Sequence, residues 1–261
     1  MPNLDTRTTK TPAVDDYTYL LSNDGTVEGK VELQDVTVIP ETTRTINFTS
    51  SQTATQIQAE IDSVGKYIPE GATITFQFGN GTYSLDNQLT FKGFYGGGAM
   101  FIYGNTSETN NVDLHTTQDV ILDFSGENTN GVKLDTCSIP IFVYNLRIEV
   151  DDLKTGAYTT KCPYIVRFYY NYIRVLGTGT NSIGLNAVSG SIVEVRETYF
   201  SGGNFAIYGS VGTTIFSLIN DDISTQPTIG LRTNGSLIYK SSTQPSGSSS
   251  NEQTSNGGEI R

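Results

Sequence analysis

The sequence predicts an all-β fold in which the chain winds as a parallel β-helix, a solenoid, behind a single N-terminal capping helix. Three observations carry this. Eight short apolar runs recur between 72 and 240: Ile74-Thr75-Phe76, Met100-Phe101-Ile102, Ile121-Leu122-Asp123-Phe124, Ile141-Phe142-Val143, Ile165-Val166-Arg167-Phe168, Ile192-Val193-Glu194-Val195, Thr214-Ile215-Phe216 and Leu237-Ile238-Tyr239. Their starts lie 26, 21, 20, 24, 27, 22 and 23 residues apart, and a near-constant interval of this size marks a repeat architecture. The composition also suits strands and turns: 27 Gly, 15 Tyr and 12 Phe, with only 16% of residues charged. Finally, the stretches between the runs are Gly, Asn, Thr and Ser turns without the 3.6-residue period that helical repeats of this length require.

The elements follow in order. Residues 1–45 are polar and Thr-rich, with a strand expected at Tyr17-Thr18-Tyr19-Leu20-Leu21, a turn at Asn23-Asp24-Gly25-Thr26 and a second strand at Lys30-Val31-Glu32-Leu33. A lone hairpin is marginal in water, so this segment is expected to pack on the main domain or on another chain. Residues 46–70 hold the one helix, predicted over 51–68. Ser51 or Thr53 caps it, Ala54, Ile57, Ile61 and Val64 form one apolar stripe, and Gly65 and Pro69 supply stop signals. Residues 71–240 form the β-helix, with two or three strands per turn and further short strands such as Leu146-Arg147-Ile148-Glu149-Val150. Residues 241–261 are Ser, Gly, Asn, Gln and Thr, with Ile260 the apolar exception, and are expected to be a flexible tail.

Charge and cysteine usage exclude several classes. With 16 Lys and Arg against 27 Asp and Glu the net charge is −11, which repels nucleic acid and anionic membrane surfaces. Cys137 and Cys162 are too few for a disulfide scaffold and lack zinc-ligand spacing. The start, Met1-Pro2-Asn3-Leu4-Asp5, has neither the basic nor the apolar region of a signal peptide, and no stretch is long enough to span a membrane. The chain is expected to be made in a cytoplasm. No cofactor or metal is expected.

Gly79-Asn80-Gly81-Thr82-Tyr83-Ser84-Leu85, then Leu89-Thr90-Phe91 and Gly93-Phe94-Tyr95-Gly96-Gly97-Gly98, resemble the opening coils of pectate-lyase-like right-handed β-helices in phage tail fibres and tailspikes. Thr11-Pro12-Ala13-Val14-Asp15-Asp16-Tyr17 and Asp24-Gly25-Thr26 resemble the attachment segments ahead of such domains. The resemblance implies a right-handed hand, a homotrimer, a place in a virion tail, and contacts with other tail proteins through residues 1–45. It also implies recognition of a bacterial surface polysaccharide.

Stacking about 4.8 Å apart, eight coils make a rod of roughly 35–40 Å. The 51–68 helix would plug the open N-terminal end, where unpaired strands invite aggregation. Cys137 and Cys162, one coil apart, are expected to stack, and Asn145 and Asn171 to form a buried amide ladder. Alternation along the strands sends Tyr144, Arg167, Tyr169, Glu194 and Arg196 outward with Phe142, Arg147, Glu149 and Asp123, and pairs Arg167 with Glu194. Tyr170 is expected on the inner face with Val166 and Phe168. This strip suits a glycan-binding groove of Tyr faces and charge-assisted hydrogen bonds, a subunit interface, or a solvated sheet face.

Catalysis finds less support. Asp123 and Glu194 fall about 14 Å apart by coil counting, too far for a glycosidase pair. Asp151-Asp152 and Asp221-Asp222 read as loop residues, with calcium an option at the first pair. His115 has no identifiable partner, and Arg174 and Lys161 lack an Asp cluster beside them. Gly93–Gly98 lacks the Lys and Ser/Thr of a phosphate loop and serves a turn between coils. A phage-tail structural and host-recognition role is therefore expected. A polysaccharide depolymerase on the same scaffold and a non-catalytic virion adaptor are the alternatives.

Overall fold

A computed structural model describes residues 17–21, 27–32, 43–104, 119–222 and 225–261. The chain divides into two compact units, Met1–Ile39 and Pro40–Arg261. In the first, Tyr17–Leu21 pairs antiparallel with Val27–Glu32, with an irregularity between Leu20 and Leu21. The expected turn at Asn23–Thr26 and the attachment-like residues 11–16 lie outside the described residues. The boundary falls at 39/40 rather than 45 because Arg44–Phe48 is already the first strand of the solenoid.

The second unit is a parallel β-solenoid with three lateral sheets. Sheet I has nine strands: Arg44–Phe48, Thr73–Phe78, Ala99–Tyr103, Ile141–Tyr144, Ile165–Tyr169, Ile192–Arg196, Thr214–Leu218, Leu237–Ser241 and Glu259–Ile260. Sheet II has six: Gly81–Ser84, Val120–Asp123, Arg147–Asp151, Tyr172–Leu176, Tyr199–Gly202 and Asp221–Asp222. Sheet III has seven: Leu89–Lys92, Val132–Asp135, Thr155–Thr160, Ile183–Val188, Phe205–Ser210, Ile229–Asn234 and Ser250–Ser255. From Thr73 to Asn234 each winding visits I, II and III in turn; the first winding carries α1 in place of sheets II and III, and the last has no sheet II strand. One expected repeat marker proves to be on a different face: Ile121–Phe124 lies on sheet II, so sheet I steps directly from Met100 to Ile141.

The core is a set of apolar columns. Ile74, Met100, Ile141, Val166, Val193, Ile215 and Ile238 follow one another in register, all buried. The early coils are filled by large rings, among them Phe48, Phe76, Phe78, Tyr83, Phe91 and Phe94, and the later ones increasingly by Thr213, Ser217 and Thr233. Glycine permits the closest backbone approach: a Cβ on Gly96 would collide with the Ile68 carbonyl, and φ there is 127°.

The helix, α1, spans Ala54–Ser63, shorter than the expected 51–68 because Val64 is already extended and Tyr67–Ile68 forms a short strand. Thr53 and Gln56 form a reciprocal capping box, and Ala54, Ile57 and Ile61 are buried. The helix closes a sheet edge specifically. Gln58 Oε1 accepts from Thr90 N at 2.8 Å and Gln58 Nε2 donates to Thr90 O at 2.9 Å, so one amide stands in for the missing neighbour of the first strand of sheet III.

Corners between sheets use left-handed residues, several of them not glycine: Asn145, Tyr170, Glu197, Ile219 and Ser242 at the I–II corner have φ between 45° and 61°. Tyr170 is thus a half-buried corner residue, not an inner strand residue. Of the two expected ladder residues Asn171 makes the amide bonds, whereas Asn145 is itself a corner and stands opposite Tyr170 rather than Asn171. Asn171, fully buried, accepts from Leu146 N at 3.1 Å and donates to Val143 O at 3.0 Å. Two windings on, Asn220 accepts from Thr198 N at 3.0 Å and donates to Val195 O at 2.9 Å.

The 241–261 stretch is not a loose tail: Ser250–Ser255 and Glu259–Ile260 add a last winding in register with Ile229–Asn234 and Leu237–Ser241. Backbone pairing orders it although its side chains are polar. The column Leu185–Ile207–Leu231 ends at Glu252, and Val195–Ser217 ends at Lys240, and these two charges ion-pair with each other.

Candidate functional site

Stacking lines outward side chains into columns. On sheet I, one column runs Phe101, Phe142, Arg167, Glu194, Phe216, Tyr239 and its neighbour runs Tyr103, Tyr144, Tyr169, Arg196, Leu218. Tyr144, Arg167, Tyr169, Glu194 and Arg196 therefore share one face on three consecutive windings. Arg167 Nε meets Glu194 Oε2 at 3.1 Å, Tyr169 donates its hydroxyl to Glu194 Oε1, and the Arg167 guanidinium lies 5.1 Å from the Phe142 ring centre. Arg196 turns to Glu197 at 3.0 Å instead of to Glu194.

The aromatic part is longer than alternation at 141–172 suggested. Phe101 stacks on Phe142 at 4.6 Å, Tyr103 meets Tyr144 at 5.2 Å, and Tyr144 contacts both Tyr169 at 5.3 Å and Tyr170 at 6.5 Å. The same alternation applied to Ala99–Tyr103 would have found Phe101 and Tyr103. Nothing in sequence marks Tyr170, which joins the face because the corner turns it outward. Burial raises the phenol pKa of Tyr103 and Tyr144. Burial, and then the hydrogen bond to the Glu194 carboxylate, raises that of Tyr169. The charges that adjoin the rings thus already satisfy one another.

Asp123, Arg147 and Glu149 leave this strip and stand on sheet II. There Asp123, Glu149, Arg174 and Ser201 are in register on successive strands. Arg147 Nε reaches Glu149 Oε1 at 2.5 Å and Arg174 Nη1 reaches the same oxygen at 3.5 Å. Beside them lies a shallow cleft of ≈ 260 Å³ lined by Arg174, Leu176, Ser201 and Thr225. Asp123 and Glu149 are one strand spacing apart, about 4.8 Å at the backbone. Coil counting had instead compared Asp123 with Glu194, which is on another sheet.

The remaining candidates are structural. Asp151 Oδ2 accepts from Gly126 N at 2.7 Å. Asp152 accepts from Ser182 Oγ, Gly179 N and Leu153 N, and the Ser182 hydroxyl foremost holds its pKa below the ordinary carboxylate value. Asp221–Asp222 is a strand, not a loop. Lys161 is an exposed corner residue. Among the described residues no group of three or more His, Cys, Asp or Glu is arranged to hold a metal, and His115 lies outside them. Cys137 and Cys162 are free and buried in successive windings, each thiol near the carbonyl two residues before it. The adjoining Cys137 thiol, and then burial, raise the Cys162 pKa. No described helix is long and apolar enough to cross a membrane. Comparison with family models, with curated proteins and with solved structures returns no match to this chain.

Proposed function

We propose that the chain is a structural and host-recognition rod of a bacteriophage or prophage tail, binding a bacterial surface polysaccharide along sheet I without cleaving it. The observation that carries this reading is the continuous outward block of Phe101, Tyr103, Phe142, Tyr144, Tyr169 and Tyr170 on a rigid parallel sheet. Rings fixed at about one strand spacing form one continuous aromatic surface on which an extended glycan can pack, and the sheet holds them at little further entropic cost. The tail setting and a homotrimer rest on the resemblance of Gly79–Leu85 and Gly93–Gly98 to phage β-helix coils. Residues 1–45 would engage other tail proteins. The test is titration of host-surface oligosaccharides by calorimetry against the protein and Tyr144→Ala. We expect about a tenfold loss, the upper end of what a single aromatic contact contributes beyond its buried area. An unchanged affinity for every ligand removes sheet I from the reading. Light scattering should give about three times the 28.4 kDa chain mass.

A second reading, a polysaccharide depolymerase, is favoured by the in-register Asp123 and Glu149 beside the sheet II cleft, since retaining glycosidases need carboxyls about 5–5.5 Å apart. Against it, Arg147 and Arg174 both occupy Glu149 Oε1. Release of reducing ends from host polysaccharide, lost in Asp123→Asn, would decide for the enzyme.

A further inference from the structure

We infer that sheet III carries a separate binding site in which Arg232 takes the anionic group of an acidic saccharide. Arg147, Arg167, Arg174, Arg196 and Arg261 each reach a carboxylate, and Arg44 also has a partner. Arg232 stands apart among the described arginines: its guanidinium makes no ion pair or hydrogen bond, and its Nε is buried without an acceptor. An acidic protein has many carboxylates with which to neutralise such a cation, and among the described residues none is placed to do so.

The side chain is nevertheless held in place. Its guanidinium lies 4.6 Å from the Phe205 ring centre and 5.6 Å from that of Tyr208. Phe205 is in turn fixed in a satellite apolar cluster with Ile183 and Ile229, outside the main core. The two rings hold the guanidinium in place, and among the described residues no carboxylate reaches its terminal nitrogens, the fork that binds a carboxylate or phosphate bidentately.

The residues in line with Arg232 indicate a sugar. Tyr158, Asn186, Tyr208 and Arg232 are in register on four successive strands, three steps of about 4.8 Å, or roughly 14 Å along the stack. Asn186 sits between the two tyrosines and makes no hydrogen bond, and its buried Oδ1 lacks a donor. The Tyr158 ring with Lys133 Nζ 5.8 Å from its centre, the Asn186 amide and the Arg232 guanidinium over this length match two or three pyranose units with a charged group at one end. The site stands on a different face from the sheet I strip and does not depend on it.

The experiment titrates a uronic-acid trisaccharide, the same trisaccharide with its carboxyls reduced to alcohols, and a sugar phosphate into the intact chain by calorimetry. The acidic trisaccharide should bind, weaken with added salt, and lose at least tenfold affinity on carboxyl reduction. Arg232→Met should cost the same factor and Arg232→Lys a part of it, with circular dichroism melts showing each variant folded. Sugar phosphate binding lost in Arg232→Met would make the recognised group a general oxyanion and keep the site. Equal affinity for acidic and reduced forms, an unaffected Arg232→Met, or no binding at millimolar ligand overturns the proposal. Loss in Tyr144→Ala with Arg232→Met unaffected would retain sheet I and reject sheet III.

Discussion

Replacing Asn171 tests the idea that the stack is held by side-chain amides as well as by its sheets. Asn171 is fully buried and binds the preceding winding twice, at Leu146 N and Val143 O. Asn171→Leu keeps the volume and removes both bonds, leaving a buried N–H with no acceptor. An unsatisfied buried donor costs about 1–3 kcal/mol, and the loss at the carbonyl is smaller because that oxygen keeps a second lone pair, so about 2–4 kcal/mol is expected. For a unit of this size each kcal/mol lowers Tm by roughly 2–4 °C, giving a fall of about 5–15 °C. Asn171→Ala adds a cavity and should be lower still. The assay is guanidinium denaturation followed by circular dichroism, with Asn220→Leu in parallel. Because windings couple mainly to their neighbours, the Asn220 variant should loosen the C-terminal coils first. Wild-type stability in Asn171→Leu would refute the reasoning.

Three further outcomes follow from particular contacts. Thr53→Ala breaks the capping box of α1 and should cost about 1 kcal/mol by chemical denaturation. Ile219 is a β-branched residue held at φ 53° on an exposed corner, so Ile219→Asn should raise stability by roughly 0.5–1 kcal/mol, read as a higher denaturation midpoint. The folded-state pKa of Asp152 is depressed by its bonds to Ser182 and Gly179, so its stabilisation is complete above the unfolded carboxylate value near pH 4 and is lost as pH falls through the lower folded value. Asp152→Asn should flatten that acid limb in Tm measured from pH 5 to pH 2.

The solenoid was legible in the sequence because inward positions must be apolar in every winding, and that periodicity survives in any strand order. What was lost was phase. Between Met100 and Ile141 the chain inserts residues 105–118, and a sheet II strand with Ile121 and Leu122 fell by chance at the expected spacing. Corners were equally opaque. A left-handed Tyr170 or Glu197 violates residue preference and persists because its N–H bonds to the next winding, Tyr170 N to Arg196 O at 3.3 Å and Glu197 N to Leu218 O at 3.2 Å. The same hidden corner took Asn145 out of the amide ladder and turned Tyr170 into the aromatic strip. Arg232 could not have been singled out from sequence, since what distinguishes it is which carboxylates fail to reach it.

The ion pair between Lys240 and Glu252 bears on how such rods keep to themselves. A parallel stack is a template, and any neighbour whose apolar edge meets its last turn can lengthen it. By placing opposite charges where leucine or phenylalanine would continue the interior, the final turn asks an incoming copy to strip water from both ions before it can add on. Two residues about a dozen positions apart thus mark the winding at which these two columns become charged.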